Sequence, residues 1–120
     1  MEVRGLDHVN IVTADLEGTV AFYREVLGLE PGERPPFPFP GAWLYAGGCP
    51  VIHLGVRPAA GGSTGAVDHV AFAASGFEAF RRRLEERGIP YSTAAVPGTD
   101  MRQIFLRDPN GVKIELNFRD

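Results

Sequence analysis

The chain has 120 residues, of which 12 are Lys or Arg and 15 Asp or Glu, giving a formal net charge of -3, and 44% of it is hydrophobic. That hydrophobic share supports a packed core and excludes bulk disorder, while the mildly acidic balance leaves no electrostatic footprint for nucleic acid. Cys49 stands alone, which excludes an intramolecular disulfide scaffold, and neither a secretory signal nor a run of the roughly 20 apolar residues that span a bilayer is seen, so a soluble cytoplasmic protein without membrane contact is expected.

Period-two alternation predicts a first strand over residues 6–12, with Val9 and Ile11 on one face and His8 and Asn10 on the other. A helix follows, in which Leu16, Val20, Tyr23 and Leu27 form one stripe on a 3.6-residue period. Thr13 or Asp15 can cap its open N–H groups, and Gly28 suits the left-handed position that ends it. Residues 31–41 hold five prolines and two glycines, so they can neither continue a helix nor sit inside a sheet. They are expected to form a stiff loop carrying Phe37 and Phe39, a wall or lid for a pocket. Strands over 42–46 and 50–57 come next, with Gly47-Gly48 between them. Trp43 and Tyr45 share a face of the first of these and read as packing residues. In the second, Ile52, Leu54 and Val56 share a face and leave His53 and Gly55 opposite. Residues 58–66, rich in Gly, Ala, Pro and Ser, read as a linker.

The order then begins again. A strand over 67–73 sets Val70 and Phe72 against His69 and Ala71. Its helix carries the stripe Phe77, Phe80 and Leu84, a capping box from Ser75 and Glu78, and a stop at Gly88. Arg81-Arg82-Arg83, followed by Glu85 and Glu86, reads as a solvated helix face. A short strand is expected near 90–94, then strands over 102–107 and 112–118 joined by Asp108-Pro109-Asn110-Gly111, where Asn-Gly tolerates the positive φ of a tight hairpin. In the last strand Val112, Ile114, Leu116 and Phe118 oppose Lys113, Glu115 and Asn117.

Three anchors tie the halves together. Leu6-Asp7-His8-Val9-Asn10-Ile11 and Val67-Asp68-His69-Val70-Ala71-Phe72 are displaced by 61 residues, the helix stops by 60, and Ile52-His53-Leu54 and Ile114-Glu115-Leu116 by 62. A nearly constant offset in the same order reads as an internal duplication of a strand–helix–strands module. Module one then covers about 5–57 and module two about 67–118 of one 120-residue domain.

The apolar strand faces must bury against the helices, which leaves all three histidines and Glu115 on the helix-free faces. The competing reading is a face that is simply wet. It must place every histidine at a repeat-related strand position by coincidence. Imidazole and carboxylate together suit one divalent metal, namely Zn, Ni, Co, Mn or Fe(II). The candidates are His8, His53, His69 and Glu115, and a two-His, one-Glu trio with positions left open suits catalysis better than a closed structural role. Asn10, on the face of His8, and Arg102, at the start of a strand, are candidate substrate-binding residues.

The stretches around His8 and His69, the run Ala21-Phe22-Tyr23-Arg24-Glu25-Val26-Leu27-Gly28-Leu29 and the ending Asp108-Pro109-Asn110-Gly111-Val112-Lys113-Ile114-Glu115-Leu116 resemble the vicinal oxygen chelate superfamily. That superfamily includes glyoxalase I, extradiol dioxygenases, fosfomycin and bleomycin resistance proteins and methylmalonyl-CoA epimerase, and the resemblance spans residues 5–118. It implies an α+β fold of tandem βαβββ modules whose sheets form a cup around one divalent metal. His8, His69 and Glu115 match the ligand positions shared by most catalytic members. His53 stands where glyoxalase-like members use glutamate and epimerase-like ones glutamine, and is a ligand or an acid–base group. The resemblance implies a homodimer, with the cup closed within a chain or between chains. It also implies a glyoxalase-like lyase or isomerase that stabilises an enediolate-type intermediate of a small oxygenated substrate, with Glu115 or His53 moving the proton. An Fe(II)-dependent extradiol dioxygenase and a non-catalytic small-molecule binding or resistance protein are the alternatives.

Overall fold

In the computed structural model, which describes residues 1–58 and 61–120, the chain divides into the units Met1–Gly61 and Gly62–Asp120. Residues 59 and 60, part of the expected linker, lie outside the described residues. The first unit runs β1 (Val9–Thr13), α1 (Leu16–Glu25), β2 (Glu30–Gly32), β3 (Gly41–Ala46) and β4 (Cys49–Val56). The second runs β5 (Val70–Ala74), α2 (Phe77–Glu86), β6 (Ser92–Ala95), β7 (Arg102–Arg107) and β8 (Lys113–Phe118). Each is a βαβββ module with one mixed sheet, in the orders β1-β4-β3-β2 and β5-β8-β7-β6. The first strand of each runs parallel to the last, and the remaining neighbours are antiparallel. The parallel registers repeat as well: Ile11 pairs with Leu54 and Phe72 with Leu116.

Alternation decides which side chains are buried. In the first unit Ile11, Leu44, Ile52 and Leu54 join Tyr23, Val26 and Leu29 in the core. In the second Ile104, Leu106, Ile114, Leu116 and Phe118 join Phe77 and Leu84. Phe77 and Phe80 of α2 meet the Phe118 ring edge-on, with centroids 5.4 and 5.6 Å away. The stripe of α1 is rotated slightly from the expected one. Thr19 and Tyr23 are its buried residues, and the Thr19 hydroxyl is satisfied by Thr13 Oγ1 at 3.0 Å.

The caps differ between the units. Asp15 closes α1 as expected, accepting the Gly18 N–H at 3.0 Å. Asp15→Ala is expected to cost about 1 kcal/mol, read as a lower urea midpoint at unchanged slope; an unchanged midpoint would contradict this role. The expected capping box of α2 is not formed. Gly76, at φ 81°, is the N-cap, which moves the helix start past Ser75, and the Gly76 N–H donates to Asp120 Oδ2 at 2.9 Å. The C-terminal stop is as expected: Gly88 has φ 65°, and the Ile89 N–H returns to the Leu84 carbonyl at 2.9 Å.

Two further expectations are corrected. Pro31 and Gly32 belong to β2 rather than to the loop, at a sheet edge where the missing proline N–H leaves no ladder bond unmade. The 108–111 turn does not place Asn110 at positive φ; Gly111 takes it, at 86°. Asp108 Oδ1 holds that turn by accepting the N–H groups of Asn110 and Val112 at 2.8 and 2.9 Å. No helix among the described residues is long and apolar enough to cross a membrane.

Candidate metal centre

In the first unit the candidate side chains lie on the sheet face away from the core. His8 immediately precedes β1, where Val9 pairs with Ile52 and Asn10 with His53. Across the β3–β4 ladder His53 faces Trp43. The three rings stack: His53 lies 3.7 Å from His8 and 3.9 Å from Trp43, 11° from parallel in both cases. Asp7 Oδ2 stands 2.7 Å from His8 Nδ1. His53 Nε2 is buried with no hydrogen-bond partner. An orphaned buried nitrogen of this kind costs about 1–3 kcal/mol and calls for an explanation, such as a catalytic role or a bound water or ion.

The His53 imidazole is held below its ordinary pKa of 6.5, chiefly because burial strips water from the charged form and next because of the neighbouring charge of His8; the Pro50 carbonyl and Asp7 act the other way. In the metal-free protein its ring resonances are expected to titrate with a midpoint below 6.5. The unfolded chain then binds more protons than the native one between that midpoint and 6.5, so stability should fall as the pH drops through this window. A midpoint at or above 6.5 by NMR would contradict this.

Trp43 also borders a cavity of about 550 Å³ with Glu33, Arg34, Pro35 and Tyr45. The loop beyond β2, expected as a pocket wall, is folded on itself there. Arg34 donates to the Phe39 carbonyl at 3.0 Å and lies 5.1 Å from the rings of both Phe37 and Phe39. Asn10 is exposed beside His53 in register.

In the second unit His69 immediately precedes β5, and Ala71 pairs with Glu115. His69 Nε2 faces Glu115 Oε1 at 3.6 Å, too far for a hydrogen bond. The other atoms of the pair are engaged. Asp68 Oδ2 stands 2.8 Å from His69 Nδ1 and accepts from Lys113 Nζ at 3.1 Å. Glu115 Oε2 accepts from Asn117 Nδ2 at 2.9 Å, and Asn117 Oδ1 accepts from Gln103 Nε2 at 3.0 Å. The His69 hydrogen bond first, and Lys113 second, hold the Asp68 carboxyl below its ordinary pKa. Arg102 lies elsewhere. It shares the helix-side face with Ile104 and Leu106, its guanidinium carbon is 4.2 Å from the Phe77 ring centroid, and Glu115 projects from the opposite face.

In the second unit the pair of His69 and Glu115 has the donor chemistry and the spacing that a divalent ion requires. With metal–donor bonds of about 2.1 Å, adjacent donors at one ion stand roughly 3.0–3.4 Å apart. The His69–Glu115 separation of 3.6 Å needs only a small adjustment to reach that range. The side chains of His8 and His69 are each 37% exposed, so an ion can reach them, while that of Glu115 is 12% exposed and well held. Within each unit the described candidate ligands form a pair, and within neither do three His, Cys, Asp or Glu side chains gather.

Sequence reasoning passed over Asp7, Asp68, Gln103 and Asn117 and took Trp43 for packing. The signal for the aspartates was present in the repeat, since one precedes each of the two repeated histidines.

Comparison with known proteins agrees with the fold. The model of the Glyoxalase/Bleomycin resistance protein/Dioxygenase superfamily matches residues 5–116. The Arabidopsis thaliana protein Glyoxylase I 4 is 32% identical over 97% of this chain and 71% of its own length. A Bacillus anthracis protein assigned to the glyoxalase family is 28% identical, with a TM-score of 0.82 over 100% of this chain and 98% of that one. Lactoylglutathione lyase from Agrobacterium tumefaciens shares the fold at 20% identity, with a TM-score of 0.71 over 98% of this chain and 95% of that one.

Proposed function

Because the chain belongs to the glyoxalase/bleomycin resistance protein/dioxygenase superfamily, we propose that it is a divalent-metal-dependent lyase or isomerase of glyoxalase type, acting as a cytoplasmic homodimer on a small oxygenated substrate. His8, His69 and Glu115 hold the ion in this reading, and His53 moves the proton. The observation that carries it is the unpartnered Nε2 of His53, buried beside His8.

An imidazole lone pair lies in the ring plane. The rings of His8 and His53 are stacked nearly parallel with centroids 3.7 Å apart, so in this arrangement an ion in line with one nitrogen would be out of line with the other. That favours the acid–base role for His53 over a place in the ligand set. A ring kept neutral near pH 7 can accept a proton from carbon and return it. The flanking rings of His8 and Trp43 limit its rotation, so Nε2 keeps one direction.

A bound divalent ion supplies a Lewis acid that stabilises charge developing on adjacent substrate oxygens. The chain's own groups do the remainder. Glu115, fixed at Oε2 by Asn117, keeps Oε1 turned towards His69. Asn10, exposed beside His53, can donate to a substrate oxygen. The Trp43 side of the cavity offers an apolar wall for the body of the substrate. Arg102, lying over Phe77, has no part in this reading. The relative named Glyoxylase I 4, 32% identical, supports the glyoxalase type.

A two-His, one-Glu donor set also suits Fe(II) and oxygen chemistry, so an extradiol dioxygenase is the second reading. Metal analysis of the protein purified without chelator, followed by aerobic and anaerobic turnover of hemithioacetals and catechols, separates the two. Oxygen-independent turnover of a hemithioacetal is the expected result; oxygen uptake on a catechol with bound iron would overturn the lyase assignment.

A further inference from the structure

In the second unit the two ligand candidates stand at the middle of one line of polar side chains. Lys113 Nζ lies 3.1 Å from Asp68 Oδ2, and that oxygen lies 2.8 Å from His69 Nδ1. On the other side Gln103 donates to Asn117 at 3.0 Å and Asn117 donates to Glu115 Oε2 at 2.9 Å. What remains at the centre is His69 Nε2 facing Glu115 Oε1 across 3.6 Å.

A neutral imidazole carries one proton on two nitrogens, and the hydrogen bond at one nitrogen decides which keeps it. A carboxylate can only accept, so Asp68 draws the proton to Nδ1 and leaves the lone pair on Nε2, the nitrogen that faces Glu115. Asn117 likewise engages Oε2 through its N–H and turns Oε1 to the gap. The geometry points to Asp68 and Asn117 as positioning residues that set the tautomer of His69 and the orientation of Glu115, so that the second unit presents a preformed two-donor grip for a divalent cation. Lys113 and Gln103 hold the positioning residues in turn.

The first unit repeats half of this arrangement. Asp7 stands to His8 as Asp68 does to His69, through the same pair of atoms and at 2.7 Å. An ion pair between exposed neighbours adds little to stability, so a contribution to the fold gives no reason for both units to hold the same contact. Selection of the metal-facing nitrogen does. Carboxylate partners of ligating histidines commonly serve this purpose.

The inference rests on His69 being a ligand, and the test separates the two claims. Zinc titration would be run on the full-length wild type, H69A, D68A and D68N, together with nitrogen-15 NMR of the His69 ring in the metal-free proteins. The Asp68 side chain is 70% exposed, so its loss should leave the fold intact. H69A is expected to lose binding, and D68A to bind about 10–100-fold more weakly. D68N keeps an acceptor oxygen and should recover part of that loss. In the wild type His69 should carry its proton on Nδ1, and in D68A the two tautomers should mix. If H69A loses binding while D68A stays within about twofold of wild type, the positioning role is overturned and the ligand assignment stands. A wild-type His69 protonated mainly on Nε2 would also overturn the positioning role. If H69A binds zinc like the wild type, both claims fall.

Discussion

Replacing His69 by alanine is expected to weaken binding of a divalent ion at least about a hundredfold, near 2.7 kcal/mol, and to abolish turnover with it. In the proposed ligand set His69 is one half of the second unit's pair, and without it that unit keeps only the Glu115 carboxylate, whose Oε2 is already engaged by Asn117. The loss should not come from unfolding. The His69 side chain is 37% exposed and lies just outside β5, away from the buried Ile104, Ile114 and Phe118. Substitutions at such positions usually change stability by less than about 0.5 kcal/mol. Circular dichroism and thermal melting with metal titration provide the check. A variant that melts like the wild type and binds metal as tightly would contradict the ligand assignment.

Replacing His53 by glutamine should separate chemistry from metal binding. Glutamine keeps a flat polar group between His8 and Trp43 but cannot take a proton near neutral pH. Loss of a positioned acid–base group typically lowers turnover by about 10²–10⁴-fold. Metal affinity should remain within a few-fold, because with the rings stacked an ion held in line with His8 would be out of line with His53. Turnover and affinity falling by the same factor would instead make His53 a ligand. Unchanged turnover would remove it from the mechanism.

The duplicated architecture is legible in the residues because its causes are local and repeated. Alternation placed Ile52 and Leu54 against His53, and Ile114 and Leu116 against Glu115, and the aliphatic residues are the buried set found, with His53 and Glu115 half-buried on the other face. The stops at Gly28 and Gly88 rest on the same simple requirement for a left-handed residue. Features that depend on distant parts of the chain were not legible. β2 is short and carries Pro31 and Gly32, so only its pairing with β3 makes it a strand. The N-cap of α2 is Gly76, left-handed and bonded through its N–H to Asp120, 44 residues away in the chain, rather than the adjacent serine.

The same division runs through the site. The residue types that bind metal stand out in the sequence because histidine is scarce here, with three in the chain. Gln103 and Asn117 do not stand out, since an amide on an open sheet face looks the same whether it orients a carboxylate or meets water. The role of Trp43 needed the cross-strand register that sets it over His53.

Dependence of turnover on metal tests the central claim most directly. Hemithioacetal turnover would be followed in the purified protein, again after removal of metal with a chelator, and again after adding back zinc, nickel, cobalt or manganese. Activity is expected to disappear on chelation and to return with at least one of these ions at about one per site. Turnover that survives complete removal of metal would contradict the assignment of His8, His69 and Glu115 as the ligands of a catalytic ion.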